Sequence, residues 1–524
     1  MGLPMRAPRR SMTIATAALV FFVTIFALIS SPAQNSKVFR PWATDAGIIH
    51  SGAKPASKAA WRDPPKRNMH ILLPATQSNV NFCKTLLSMT ILGYPNPTIL
   101  AWGDDHDSGG LLGGGSHFAK ITRVLEYLNN EERRKDPAFE DELVFMLDSY
   151  DIWFQLPVHQ LLDRYDALLE EENARVKHRL GKAYEKEGIR SQIVFGAGKR
   201  CAPNILHSVA CYPTPESPLP MDLRGGATDT VLGYNQWANY RTRYLNSGYI
   251  IGPVRELRPL LERAAEKLAA CANQGDLPID NGYGSHECFR GSDQSIFIEM
   301  FGEQEFHRET MRRHHRTTMD DWLDTFVANR PASKPPATHI QGAPINDMLN
   351  PEFDHELRSA KWVPDKPWEF GIALDYWSTL GHQTSNAAHD YRYLRHDQPI
   401  EEQIGDVGWF DCPGKGSDLA DLPEGKIPIL AGQEPSTWKS LPLYTEICVG
   451  VVPVMIHHNS VSKGNRETEW DKVWWHGRAR ELLEWRRTQG APQLVEGIPA
   501  ENGPVLKWEE LCPADVEPEL FRDG

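Results

Sequence analysis

From residue 69 onward, apolar runs too short to be helices alternate with stretches of helical periodicity, and that alternation leaves few folds open. The runs are Met69–Thr76 (MHILLPAT), Thr98–Trp102 (TILAW), Leu143–Leu147 (LVFML) and Gln192–Phe195 (QIVF). Between them lie helical patterns at Val80–Leu92, at Leu161–Leu180 and at His117–Asn129, where Phe118, Ile121, Val124, Leu125 and Leu128 share one face. Strands that alternate with helices predict a mostly parallel sheet covered on both sides, an α/β domain. Further helices are expected over Val254–Ala272, over the SIFIEMF segment after Asp293, and over residues 470–489 as a final amphipathic helix. The stretches 317–370 and 399–440 are rich in proline or loop residues and read as large insertions that wrap the core.

The N-terminus has a different character. Residues 12–29 (MTIATAALVFFVTIFALI) carry no charge and no proline, enough to cross a bilayer core of about 30 Å. Arg6, Arg9 and Arg10 precede the run, so residues 1–11 are expected in the cytosol and the rest of the chain in the lumen. A cleaved signal peptide is the alternative, given the small residues Ser30, Ser31 and Ala33. Residues 30–67 read as a stem, 68–490 as the catalytic domain and 491–524 as a C-terminal extension. Eight cysteines suit an oxidising lumen. Cys201 and Cys211 are close enough to close a small loop, but spacing alone leaves the pairing open. A net charge of -13, with no basic stripe, argues against nucleic acid as a partner. The one basic cluster, His307–Arg316, is interrupted by Glu309 and reads as a solvated helix face.

Chemistry is concentrated where the strands stop. The run LVFMLDSYDIWF delivers Asp148 and Asp151 to the end of a strand with no lysine or arginine nearby in sequence. Ligands bind at the carboxyl ends of strands in such sheets. Two carboxylates there repel each other unless a divalent cation such as manganese or magnesium sits between them. A surface turn carrying two acids is the plainer reading. Near the C-terminus VVPVMIHHNSVSKG stops at His457 and His458, which point in different directions, so one of them can add nitrogen to that oxygen site. Lys463 can meet a phosphate as a mobile point charge. Gly113, Gly114 and Gly115 match neither a P-loop nor a dinucleotide turn, yet permit close approach of a ligand before a helix N-terminus. In RYLNSGYIIG, Gly248 permits tight approach of substrate and Asn246 can bond sugar hydroxyls. Asp293 precedes a helix, either as its cap or as a carboxylate placed near its first turn.

Taken in order, these segments resemble the glycosyltransferase domain of the procollagen lysyl hydroxylase/glucosyltransferase family and the related collagen-type galactosyltransferases. The similarity spans about residues 69–465. The family's GGGQK loop looks like Gly113–Gly114–Gly115–Ser116–His117, and its DSYD motif is matched by Asp148–Ser149–Tyr150–Asp151. Its YLNSGGFIG strand is matched by Tyr244–Gly252, and its DDQLF segment by Ser292–Phe297. Its LD…FQ segment looks like Leu374–Asp375 with His382–Gln383, and HGNGPTK is echoed by His457–Lys463.

The resemblance implies a GT-A glycosyltransferase fold, a Rossmann-like mixed sheet flanked by helices. It implies manganese, or magnesium, held by Asp148, Asp151 and His457, and a UDP-sugar as donor. Tyr150 would lie against uracil with Thr76 and Trp102 lining the nucleoside pocket. The glycine loop and Ser149 would complete the donor side, and Asn459 and Lys463 would meet the diphosphate. Asp293 and Asn246 would stand beside the transferred sugar and the acceptor. Gly291–Ser292–Asp293 replaces the family's run of aspartates, which implies a different acceptor. The expectation is a type II membrane protein of the Golgi or endoplasmic reticulum that transfers a hexose to a hydroxyl of a glycan or glycoprotein. A nucleotide-sugar hydrolase or phosphodiesterase, and a lumenal scaffold or lectin-like protein without catalysis, are the competing readings.

Overall fold

A computed structural model describes residues 68–104, 115–204, 208–231, 235–272, 292–326, 338–340, 343–345, 368–405, 412, 422–423, 437–460, 464–501 and 503–522. The expected tail, anchor and stem lie outside the described residues, as do Gly113, Gly114, Lys463 and much of both insertions. Among the described residues no helix is long and apolar enough to cross a membrane.

The alternation becomes a mixed six-stranded sheet flanked by helices. Its strands are β1 (Met69–Pro74), β2 (Thr98–Leu100), β3 (Leu143–Leu147), β5 (Ile193–Gly198), β6 (Tyr244–Pro253) and β7 (Ile372–Asp375), in the order β7-β5-β6-β3-β1-β2. Here β1 runs parallel to β2 and β3, and β7 runs parallel to β5. Only β6 is reversed, antiparallel to both β3 and β5.

Successive residues of β1 point to opposite sides, and both sides are buried. Ile71 and Leu73 face a layer that includes helix α1 (Val80–Ile91) and the start of α3 (Val158–Leu180). Leu72 faces the other layer, built from α2 (Gly115–Leu128), α4 (Val254–Ala272) and α5 (Asp293–His314). Continuous apolar runs are what a sheet covered on both faces requires. The C-terminal segment belongs to the first layer: Trp508, Leu511, Leu520 and Phe521 are buried in the same cluster as Phe82 and Leu86 of α1. A disulfide between Cys83 and Cys512, with Cα atoms 5.7 Å apart, fastens that segment to α1. Cys201 pairs with Cys211 and Cys412 with Cys448.

A second, three-stranded sheet stands beside the first. Strand β4 (Ile152–Phe154) pairs antiparallel with β11 (Met455–His457), which pairs parallel with β8 (Gly381–Gln383). A ribbon of β9 (Tyr391–Leu394) and β10 (Leu443–Glu446) completes the part that concerns the site.

Two expectations need correction. Residues 470–489 do not form one helix: short 3-10 turns at Trp470–Lys472 and His476–Arg478 precede α6 (Ala479–Thr488). The indole N–H groups of Trp470, Trp474 and Trp475 donate to the carbonyls of Leu520, Gln155 and Phe154. These bonds, to the C-terminal segment and to the end of β4, hold the stretch in turns rather than in one continuous helix. The basic cluster on α5 is not a solvated face either. Arg308, Glu309 and Arg312 are buried, and they are tolerated because Arg308 pairs with Glu305 and Glu369 while Arg312 pairs with Glu309.

Candidate functional site

The DSYD turn is the crossing point between the two sheets. Asp148 N–H donates to the carbonyl of Gly248 (2.7 Å), which continues the pairing of β3 with β6. Ser149 Oγ then donates to the carbonyl of Pro74 (2.8 Å) and ties the turn to the end of β1. The chain leaves the main sheet and enters β4, where Ile152 lies opposite His457 of β11. His458 N–H donates to the carbonyl of Asp151 (2.7 Å). One short turn thus carries two carboxylates past the end of a strand brought from far along the chain.

The side chains converge. His457 Nε2 lies 3.4 Å from Asp148 Oδ2 and 3.4 Å from Asp151 Oδ1. The ligand atoms of the three residues all fall within 4.8 Å of one another. The His457 ring is buried, and neither of its nitrogens makes a hydrogen bond of good geometry. Buried polar atoms are rarely left so without a reason. His458 turns the other way, its ring 3.8 Å from that of Trp153. Two carboxylate oxygens and one imidazole nitrogen are donors that suit manganese or magnesium, and the residues fit such an ion.

Gly248 makes room for this arrangement. A Cβ there would lie 2.0 Å from His457 Cε1 and 2.4 Å from Nδ1. The close approach expected of Gly248 is therefore made by the histidine ring, not by substrate. The register of β5 against β6 slips here, from Phe195↔Ile250 to Gly196↔Asn246, so Ser247, Gly248 and Tyr249 bulge out of that pairing. The bulge presents Gly248 to His457 and Ser247 to Asp293, whose Oδ2 accepts from Ser247 Oγ (2.9 Å).

The sequence showed no cation near the two aspartates, but folding supplies one. Lys120 of α2 donates to Asp148 Oδ1 and lies 3.4 Å from Asp293 Oδ2. Asp293 is the first residue of α5, buried, with His117 Nδ1 3.3 Å from its Oδ1. Burial opposes ionisation of Asp148, but the Lys120 ammonium and then His457 hold its carboxyl well below the usual range. Burial likewise works against ionisation of Asp293, and Lys120 and His117 together outweigh it, holding its carboxyl below the usual range. For His457 burial disfavours the charged ring, yet Asp151 and Asp148 together raise it to about 9.

A pH dependence follows. A metal needs the neutral imidazole, so below a pKa of about 9 it competes with a proton. Manganese affinity of the protein is expected to fall as pH falls, by about tenfold per unit between about pH 8 and 6, as titration calorimetry at several pH values would show. An affinity flat over that range would mean that His457 is not a ligand.

The residues expected on the donor side gather at the ends of β1, β2 and β3. Thr76 and Trp102 follow β1 and β2, and the carbonyl of Thr76 accepts from Gly103 N–H (2.8 Å). Phe82 has the Tyr150 ring on it at 5.9 Å and the Trp102 ring at 6.5 Å, and Tyr150 Oη donates to the carbonyl of Gln77 (2.7 Å). Gly115 opens α2. Two asparagines are already engaged within the protein. Asn246 Nδ2 donates to Gln294 Oε1 (2.8 Å) and its Oδ1 accepts from Gly248 N–H (2.9 Å), so it holds the bulge. Asn459 Nδ2 donates to Gln383 Oε1 (2.7 Å) and its Oδ1 accepts from Ser385 N–H (3.0 Å).

A second group of possible ligands, His382, Asp390 and Glu446, is buried beneath the β9–β10 ribbon. It differs in its charge balance. Lys199 and Arg224 both pair with Asp390, the latter at 2.9 Å, and His382 Nδ1 is bonded to Tyr444 Oη (2.7 Å). Two cations against two acids leave no charge for a metal to neutralise. Burial and then Asp390 push the Glu446 carboxyl up to about 8, so it stays largely protonated at neutral pH. Of the two groups, the one at Asp148 alone combines excess negative charge with an imidazole that makes no hydrogen bond of good geometry. No family model matches this chain, and no curated protein is significantly similar to it.

Proposed function

We propose that this protein is a metal-dependent glycosyltransferase of GT-A type that moves a hexose from a UDP-sugar to a hydroxyl of a glycan or glycoprotein. The observation that carries the reading is the convergence of Asp148, Asp151 and His457, two acids around one buried imidazole, at the carboxyl end of β3. Parallel strands β2, β1 and β3 present their ends together there, the position at which open α/β sheets bind nucleotides. The aromatic rings of Trp102 and Tyr150 stand on the same rim. Manganese or magnesium bound by the three residues would take up charge on a departing diphosphate.

The chain's own groups do the remainder. Lys120 keeps Asp148 ionised as a ligand and adds a fixed positive charge beside the leaving group. Asp293, buried and bonded to Ser247, orients the acceptor hydroxyl toward the anomeric carbon. Lumenal residence in the Golgi or endoplasmic reticulum, behind an N-terminal anchor, agrees with the three disulfides among the described residues.

The test is calorimetric binding of UDP to the lumenal domain, with and without manganese, repeated on Asp151→Ala. Manganese-dependent binding is expected, with loss of at least about a hundredfold in the variant, since a first ligand is removed. Donor screening against glycans and peptides would follow. Absence of UDP binding in both metal states overturns the transferase reading. Binding with hydrolysis but no transfer replaces it with the nucleotide-sugar hydrolase.

A further inference from the structure

Lys120 stands between the two halves of the site. Its side chain is 12% exposed, and its ammonium contacts Asp148 on one side and Asp293 on the other. Asp148 is divided between two neighbours: Oδ1 faces Lys120, while Oδ2 faces His457. Around the ammonium stand three acids, Asp148, Asp151 and Asp293. Three carboxylates against the one ammonium leave two negative charges, which one divalent cation cancels once His457 has given up its proton.

We propose that Lys120 is a positioning residue that makes metal and nucleotide binding interdependent: it weakens the metal alone and strengthens the diphosphate that arrives with it. The proposal rests on the metal-site reading given above. The physical reason is one fixed charge acting on two ligands of opposite sign. A protonated amine one carboxylate away from a divalent cation repels it and occupies an oxygen of its ligand. The same amine attracts the phosphate oxygens that approach the metal from the open side. The ammonium also reaches Asp293, so the charge that receives the diphosphate is the charge that holds the acceptor-side carboxylate.

The experiment measures two affinities on each variant by calorimetry: manganese without nucleotide, and UDP at saturating manganese. Lys120→Met is expected to bind manganese about tenfold more tightly and UDP about tenfold more weakly, as follows from removing one charge close to both ligands. Lys120→Gln, which keeps a polar side chain on the helix, is expected to shift both in the same directions. Lys120→Arg is expected to stay within about threefold of wild type in both, since the charge remains. Opposite signs are what a merely structural lysine cannot give, because a loosened site would weaken both ligands. Weakening of both, or movement of neither, in Lys120→Met and Lys120→Gln overturns the proposal. Asp151→Ala runs alongside. If it binds manganese as wild type does, the metal-site reading itself fails, and the proposal fails with it.

Discussion

Gly248→Ala is expected to abolish manganese binding, with affinity reduced by at least about a hundredfold, while the protein still folds. The added methyl group would occupy space now filled by the His457 ring, 2.0 Å from Cε1. Neither backbone can retreat easily. Gly248 is held by the Asp148 N–H on its carbonyl and by its own N–H on Asn246 Oδ1. The His457 carbonyl accepts from Thr384 N–H (3.0 Å) and Thr384 Oγ1 (3.2 Å), and β11 is paired on both sides. The ring must therefore swing to another rotamer, and its nitrogen leaves the two carboxylates. Overpacking of this kind costs about 1–3 kcal/mol of stability, which a thermal melt would register. Wild-type manganese affinity in a folded Gly248→Ala protein would remove His457 from the ligand set.

Asp375→Ala is expected to cost the protein at least about 4 kcal/mol, enough to leave much of it unfolded at physiological temperature. Asp375 ends β7, is wholly buried, and accepts from the N–H groups of Thr379, Leu380 and Gly381, from Thr379 Oγ1 and from Tyr249 Oη. Each buried donor left without a partner costs about 1–3 kcal/mol. The turn it organises launches β8, whose Gln383 lies in register with His457. Whatever folded protein survives should accordingly also bind metal less well. Chemical denaturation of wild type, Asp375→Ala and Asp375→Asn would check both parts, with the asparagine variant intermediate because its oxygen still accepts. A loss under about 1 kcal/mol in the alanine variant would mean that the turn is held by other means.

How far the sequence could be read depended on whether a contact is local. The strands at Met69, Thr98 and Leu143 and the helices at Val80 and Val254 are visible because each carries its own periodicity, and their observed limits differ little from those expected. The two aspartates are visible for the same reason, being the polar stop of an apolar run. That one histidine of the pair would face them followed from side-chain alternation, and β11 does send His457 and His458 to opposite sides. Lys120 was missed because it sits on the polar side of an amphipathic helix, where a lysine ordinarily meets water. Nothing within the helix shows that this side borders the strand ends. Gly248 was visible as a point of close approach, but its neighbour is a side chain some 200 residues away in sequence, which no local pattern specifies. Asp375 carried only a place in a motif, and its role as a hub for four residues appears once the turn after β7 is formed. The broken helix at 470–489 had a convincing amphipathic pattern, but its indole N–H groups find distant partners that no local pattern specifies.

Because Asp148 and Asp151 reach His457 only through the pairing of β4 with β11, the site has a place in time as well as in space. During synthesis the two aspartates emerge roughly 300 residues before the histidine, and until then no chelating set exists. Cys83 waits longer still for Cys512, 429 positions later. On the metal site proposed above, capture of the ion waits until residue 457 has been made, and a polypeptide truncated before it would be unable to retain the ion.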